Sequence, residues 1–416
     1  MTPSRWVLPL VMLAIALGSL YRSPDEALGE TGGDGALTSL IDRARADADR
    51  GEFLAAERTL RTALRRDPAD TAIASMLREV YERGGLKPTP DEQQIEALMA
   101  QLPPGFRRTE TSRFVVLSNA STSWTRQRER LLERTYHEVM KFAQRVGLPC
   151  VPPEHKLVVV LFGEHADYRR FALTHDGVEA GWVAGYYASV PNHAVFYDDR
   201  TSPAFAEAHA QLDEVRREAA DARRAADARN HPSPEAMVAR ADALEQHAQT
   251  QRERLEEQAR CASIAKTTHE AAHLIAFNTN IQLRSRHYPF WITEGLAICF
   301  ETDDPDKPFG PSRIDETRAA RIDELVSEGA LVPTDAFVKR TDAHGPDAET
   351  IRDEYTQAWA MFRDAARYRE EQLVALFASI ARSPAGRMSD DEHARLFAAS
   401  FGDPSVHERA WLRRVR

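Results

Sequence analysis

The side chains best suited to chemistry lie in one short run, Thr268-His269-Glu270-Ala271-Ala272-His273. Apolar residues around this run recur at helical spacing, which predicts an α-helix. On a helix His269 and His273 lie one turn apart on the same face, so both imidazoles reach one metal ion. Glu270 lies about 100° around the helix from His269 and reaches a water molecule on that ion without being a ligand. The run therefore predicts a hydrolytic metal centre.

A third ligand is available in a later run, Pro289-Phe290-Trp291-Ile292-Thr293-Glu294-Gly295-Leu296-Ala297, where Glu294 lies near the start of a second predicted helix. Two imidazoles and one carboxylate leave one position of a zinc ion open. Water at that position has a pKa near 7, so Glu270 can take its proton at neutral pH. This ligand set with an open position favours zinc over iron or manganese. We expect one zinc ion.

The pairing of His-Glu-x-x-His with a later Trp-x-x-Glu-Gly-x-Ala resembles the gluzincins, the thermolysin-like clan of zinc peptidases. The resemblance covers residues from about 110 to 380 and is strongest to bacterial proteins of uncertain substrate. It implies that His269, His273 and Glu294 are the zinc ligands and that Glu270 is the general base. It further implies that the substrate is a peptide or protein.

The resemblance also points to Tyr355 as a donor to the developing oxyanion, since related clan members carry a tyrosine at such a place. The alternative is that Tyr355 packs beside Trp359 in the core. His287 is a second candidate donor, and its alternative is a solvated position in a loop.

The chain departs from the family at Ile298, where thermolysin-like enzymes often have an acid that orients a ligand imidazole. Glu301 shares the helical face of Glu294 and could take that role. The alternative is an exposed glutamate on a helix surface.

The elements that position these residues indicate an α/β (α+β) domain over residues 105–301. Arg113 to Leu117 and Leu157 to Phe162 are predicted strands, and Thr125 to Val146 is a predicted amphipathic helix. Trp182 to Ser189 and His193 to Tyr197 are predicted to form a hairpin at a sheet edge.

Two helical regions are predicted around this domain. Residues 203–260 repeat apolar residues at alternating steps of three and four, which indicates an antiparallel coiled-coil hairpin inserted ahead of the catalytic helix. A disordered charged spacer is the competing interpretation. Residues 302–416 are predicted to form a mostly helical C-terminal lobe, with the metal centre between the lobes.

The N-terminal region, residues 35–86, is predicted to be a helical hairpin that resembles one tetratricopeptide (TPR) repeat. The residues that carry this resemblance are Gly51, Phe53, Ala56, Leu60, Ala63 and Pro68. Stacked repeats normally need about three units to bury a core. The hairpin could bind a protein partner, and the alternative is that it is docked on the next domain.

The first 22 residues have the layout of a secretory signal, since Met1 to Arg5 carry one positive charge and precede the apolar run Trp6 to Leu17, which small residues follow. We expect export to the periplasm or the cell exterior. An uncleaved N-terminal membrane anchor is the alternative, although the run is shorter than the roughly 20 residues a spanning helix needs.

Composition excludes several other classes of protein. A net charge of -10 argues against a general electrostatic grip on nucleic acid. The three cysteines, Cys150, Cys261 and Cys299, are odd in number and far apart, so they indicate neither a disulfide framework nor a thiolate zinc site. The sequence thus favours a zinc metallopeptidase. The alternatives are a zinc-stabilised scaffold of weak or no activity and a TPR-type interaction module.

Overall fold

The computed structural model describes residues 34–179, 185–227 and 233–415. Within these ranges the chain forms fifteen α-helices and one five-stranded sheet. This architecture confirms the predicted mixture of helices and strands. The predicted N-terminal signal, residues 1–22, lies outside the described part of the chain. Of the helices that are described, none is long and apolar enough to span a bilayer.

The N-terminal unit consists of the helices α1 (Asp34–Asp49), α2 (Phe53–Arg66) and α3 (Thr71–Gly84), which share a core of small and aliphatic side chains. Arg61 Nη2 donates to the carbonyl oxygen of Pro152 at 3.1 Å. Asn280 Nδ2 donates to the carbonyl oxygen of Pro68 at 2.8 Å. The three helices are therefore docked on the following domain. A fourth helix, α4 (Glu92–Met99), leads from them to the sheet.

The sheet contains β1 (Arg107–Glu110), β2 (Phe114–Ser118), β3 (Leu157–Phe162), β4 (Gly185–Ala188) and β5 (His193–Tyr197). Its strand order is β1-β2-β3-β5-β4. β2, β3 and β5 run parallel, and the two edge strands, β1 and β4, are antiparallel to their neighbours. The predicted hairpin at a sheet edge is thus formed by β4 and β5. The start of its first predicted strand, Trp182 to Ala184, lies outside the described residues.

Helices cover both faces of the sheet, which explains why β3 is apolar without interruption. Phe114 and Val116 of β2 belong to the core beneath α5 (Thr122–Val146). Val115 and Leu117 point to the other face, where α6 (His165–Thr174) packs. Side chains on a strand alternate between faces, so a strand buried on both sides is mostly apolar.

A long helical hairpin joins the sheet to the candidate site. It is formed by α7 (Pro203–Asp227) and α8 (Pro234–Asn278), whose connecting residues 228–232 are not described. Arg223 of α7 pairs with Asp242 at 2.6 Å, and His209, near the other end of α7, lies 3.5 Å from Glu256. These contacts show that the helices are antiparallel. The supercoiled packing of a coiled coil stays a prediction.

The second helix of this hairpin does not end at residue 260, where the predicted insertion ends. α8 runs for 45 residues and carries the His-Glu-x-x-His run near its C-terminal end. It contains no glycine, and its single proline, Pro234, is at the first helical position, where proline is tolerated.

The C-terminal lobe is helical. Its elements are α9 (Phe290–Cys299), α10 (Glu316–Glu328), α11 (Thr334–Phe337), α12 (Ala348–Tyr368), α13 (Glu370–Arg382), α14 (Asp390–Phe401) and α15 (Pro404–Val415). α12 packs closely on α9 at Gly295, where an added Cβ would lie 2.5 Å from the carbonyl oxygen of Ala358. A glycine at this position is what lets the two helices approach.

Candidate metal centre

The two histidines of the run lie on the buried side of α8. Ala271, Leu274 and Ile275 fix this helix in the main core, against α5 and the sheet. The imidazoles of His269 and His273 therefore project together from the same helical face, and their Nε2 atoms are 3.2 Å apart. Their side chains are 0% and 1% exposed. The helix thus presents two buried imidazole nitrogens to one point.

The third member of the set comes from α9, which starts directly after Pro289 and is buried along its whole length. Glu294 lies one turn into this helix. Its Oε2 atom is 3.3 Å from His269 Nε2 and 3.6 Å from His273 Nε2. The structure therefore brings together the three side chains that the sequence predicts as ligands.

The separations between the three donor atoms fit a tetrahedral metal ion. Donors placed about 2.05 Å from such an ion lie about 3.3 Å from one another. The separations in this group are 3.2, 3.3 and 3.6 Å. Neither Glu294 oxygen accepts a hydrogen bond of good geometry from the described residues, although the side chain is 1% exposed. A buried carboxylate without such partners is the state expected of a metal ligand.

The charges of the group also favour a cation. Burial alone would lower the pKa of His269, but the carboxylates of Glu294 and Glu301 outweigh it and raise that pKa. Burial alone would raise the pKa of Glu294, but the adjacent imidazoles His273 and His269 lower it. The carboxylates of Glu294 and Glu301 thus stabilise positive charge at His269. A bound dication would replace the proton on that imidazole.

Glu270 lies beside this group but outside it. It is 1% exposed, and its Oε2 atom has no hydrogen-bond partner among the described residues. The backbone N–H of Tyr187, in the edge strand β4, donates to its carboxylate. Burial raises the pKa of Glu270 to about 8, against the opposing charge of His269. The carboxylate thus lies next to the sheet edge, with one buried oxygen that has no partner among the described residues.

A second carboxylate orients one of the imidazoles. Glu301 lies just beyond the end of α9, and its Oε1 atom accepts a hydrogen bond from His269 Nδ1 at 2.7 Å. Arg318 of α10 donates to the other oxygen of Glu301 at 2.6 Å. With Nδ1 holding the proton, Nε2 of His269 presents its lone pair to the metal position. Glu301 is therefore an orienting side chain and not an exposed helical glutamate.

The two predicted oxyanion donors lie in different surroundings. Tyr355, in α12, makes an edge-to-face contact with Phe290 at the start of α9, with the ring centroids 5.1 Å apart. It is 7% exposed. His287 is half-buried and contacts the ring of His393 in the C-terminal lobe. Tyr355 thus packs on Phe290, which precedes Glu294 by one turn of α9, whereas His287 packs on His393 of α14.

Sequence reasoning missed Arg318. It lies 24 residues after Glu294 and carries no spacing signal, because its contact with Glu301 depends on how the chain after α9 folds back.

Comparison with known proteins gives one match. Residues 263–385 match the domain family described as a protein of unknown function, DUF1570. The matched segment contains the three candidate ligands. It also contains Glu270, Glu301 and Tyr355. No curated protein and no solved structure matches the chain.

Proposed function

We propose that the chain is a zinc-dependent metallopeptidase of the gluzincin type. One zinc ion is held by His269, His273 and Glu294, and Glu270 is the general base. The observation that carries the proposal is the convergence of three buried donor atoms at the separations a tetrahedral ion requires.

Glu270 favours catalysis over a purely structural site. A zinc ion that only stabilises a fold is closed by four protein ligands, whereas a catalytic ion keeps a position open. Here three donors converge, and a fourth side chain, the carboxyl of Glu270, lies next to them with one oxygen unpartnered among the described residues. A structural centre has no use for a buried carboxyl in this position.

A zinc ion bound at this centre supplies Lewis-acid chemistry, because it lowers the pKa of water to about 7 and polarises a peptide carbonyl. A cation held by these ligands would also lower the pKa of Glu270 from the value that burial imposes.

The proton transfers are carried out by Glu270. Glu270 Oε2 accepts a proton from water while the water oxygen adds to the carbonyl carbon of the peptide. Glu270 returns this proton to the amide nitrogen as the C–N bond breaks, so that the products are a carboxylic acid and an amine. The Tyr187 N–H holds the other carboxylate oxygen in place during both transfers.

The order of elements supports the gluzincin type. An edge strand, β4, lies beside the helix that carries the two histidines, and the third ligand comes from the next helix, α9. The surroundings are dry, since the four acidic and imidazole side chains are each 0–1% exposed. Charges in such surroundings act with little screening by water.

The test is metal analysis combined with hydrolysis of a mixed peptide library, run on the native chain and on Glu270→Gln. We expect zinc in both proteins and cleavage by the native chain alone. Glu253→Gln is the matched control, because Glu253 is an exposed glutamate on the same helix, and it should cleave like the native chain.

Three other results would contradict parts of this proposal. Equal cleavage by Glu270→Gln would exclude Glu270 as the base. Zinc in the native chain without cleavage of any peptide would favour the zinc-stabilised scaffold. A chain that holds no zinc under saturating conditions would exclude both the zinc peptidase and the zinc-stabilised scaffold.

A further inference from the structure

A second group of metal-ligating side chains lies across the sheet from the candidate metal centre. Asp176 Oδ1 lies 2.7 Å from His175 Nδ1, and Asp176 Oδ2 lies 2.9 Å from His193 Nε2. The hydroxyl of Tyr186 donates to the same Oδ2 atom at 2.6 Å. Tyr186 belongs to the core that packs on α6, whereas Ala271 and Leu274 of α8 belong to the core of the other face.

The backbone explains why these residues meet. α6 ends at Thr174, and Gly177 has a φ of +67°, which reverses the chain directly after His175 and Asp176. His193 is the first residue of β5, so its side chain lies at the end of the sheet to which that turn returns. Glycine is favoured at a positive φ because it has no Cβ.

The carboxylate of this group is paired with imidazoles and with no lysine or arginine of the described ranges. The Asp176 carboxylate is 1% exposed. No lysine or arginine of the described ranges forms an ion pair with it, and its donors are two imidazoles and a phenol. Burying an ionised carboxylate is costly, and a cation bound to it offsets that cost.

We propose that His175, Asp176 and His193 form a second binding site for a divalent transition-metal cation such as Zn²⁺. Two imidazole nitrogens and a carboxylate are the ligand types that zinc takes, and these atoms all lie within 4.8 Å of one another. The nitrogens that now face the carboxylate are the ligand atoms. An imidazole that binds a metal through one ring nitrogen carries its proton on the other ring nitrogen.

The site needs only small movements to accept the ion. A tetrahedral ion requires donor separations of about 3.3 Å, and one ligand atom from each of the three side chains already lies within 4.8 Å of the others, so the donors must close or open by about 1.5 Å at most. His175 can make this movement, since it follows the end of α6 and its side chain is 24% exposed. The exposed side also gives the ion a path from solvent. The Tyr186 hydroxyl continues to donate to Asp176 and orients it.

Occupation of this site ties α6 to the β4–β5 hairpin. Tyr186 precedes Tyr187, whose backbone N–H donates to Glu270. The cation therefore stiffens the strand that borders the candidate metal centre.

The test is a zinc count on metal-stripped protein equilibrated with micromolar ZnCl2. We expect two zinc ions per chain in the native protein and one in His193→Gln. His175→Gln should also hold one, and because this side chain is partly exposed the variant keeps its fold. Circular dichroism melting of each variant checks folding. His137→Gln is the matched control, since His137 is exposed on α5, and it should hold two.

The two sites fail independently. His273→Gln removes a ligand of the first centre alone, so this variant should retain one zinc ion. The double variant His273→Gln with His193→Gln should hold none. One ion in the native chain and none in His193→Gln would support this site and remove the metal from the proposed peptidase. Equal zinc in the native chain, His175→Gln and His193→Gln would overturn the inference and leave a hydrogen-bonded network.

Discussion

His269 donates its Nδ1 proton to Glu301 across 2.7 Å, and this contact decides which nitrogen of the imidazole faces Glu294. Arg318 holds Glu301 from behind at 2.6 Å. The imidazole is thus fixed before any ion arrives. Its orientation derives from the Glu301 carboxylate, seven residues after Glu294 in the chain.

Glu301→Gln should weaken zinc binding at the centre by about tenfold or more, because the amide holds neither the charge nor the Arg318 contact that fix the imidazole. Competition against a chromophoric chelator measures the dissociation constant. Glu316→Gln, an exposed glutamate of α10, is the control. Equal affinities of Glu301→Gln and the native chain would show that packing alone orients His269.

Gly295→Ala should destabilise the fold by about 1–3 kcal/mol, because its Cβ would lie 2.5 Å from the Ala358 carbonyl oxygen and 2.6 Å from Phe362 Cβ. Urea unfolding measures the loss. Gly35→Ala, in helix α1 with no atom within 4 Å of the new Cβ, should be neutral or stabilising by up to about 1 kcal/mol. An unchanged midpoint for Gly295→Ala would mean that α9 and α12 separate without cost.

Lys266→Met should cost about 3–5 kcal/mol. The Lys266 ammonium is 1% exposed and donates to Asp199 at 2.8 Å and to the Tyr197 carbonyl oxygen at 3.1 Å, so its loss leaves a buried carboxylate without a cation. The double variant Lys266→Met with Asp199→Ala should recover part of the loss in urea unfolding. A double variant as unstable as the sum of the two single variants would show that the ion pair contributes no coupling.

His407→Phe should reduce the acid sensitivity of the fold. Burial, reinforced by the charge of Arg369, lowers the pKa of His407 from 6.5 to about 4. Between these two values the unfolded chain binds a proton that the folded chain does not. Native stability is therefore lost as the pH falls from 6.5 toward 4, by about 1.4 kcal/mol per unit for this residue.

Urea unfolding at several pH values compares the two slopes. Phenylalanine suits the site because the ring of His407 packs on Phe397 and Phe401 and neither of its nitrogens has a hydrogen-bond partner among the described residues. Parallel curves for the variant and the native chain would contradict the prediction.

Tyr355→Phe should lower kcat of the proposed hydrolysis by about 100-fold, with no change in zinc content, if the phenol donates to the oxyanion. Phenylalanine keeps the edge-to-face contact with Phe290, so a role in packing alone predicts unchanged turnover. Tyr368→Phe, 51% exposed on the same helix, is the control.

Local patterns were enough to predict several parts of this structure. The uninterrupted apolar run Leu157–Phe162 predicted a strand buried on both faces, and the two histidines one turn apart predicted a shared direction on a helix. The pairing with Glu294 was predictable because the motif around it is specific. These features depend on short stretches of chain, where spacing and hydrophobicity decide the outcome.

Other features depend on contacts between distant segments, and no spacing in the sequence marks them. Arg318 reaches Glu301 only because the chain after α9 folds back. Asp176 and His193 meet across two separate elements. The continuity of α8 was also hidden, because the heptad-like pattern ends near residue 260 while the helix-forming residues continue.

The unbroken course of α8 has a mechanical consequence. A helix of 45 residues is about 68 Å long, and one ladder of backbone hydrogen bonds runs from the far tip of the hairpin to the two imidazoles. Such a rod resists twisting along its length, so a torque applied at the outer end turns His269 and His273 relative to Glu294, which is carried by a different helix.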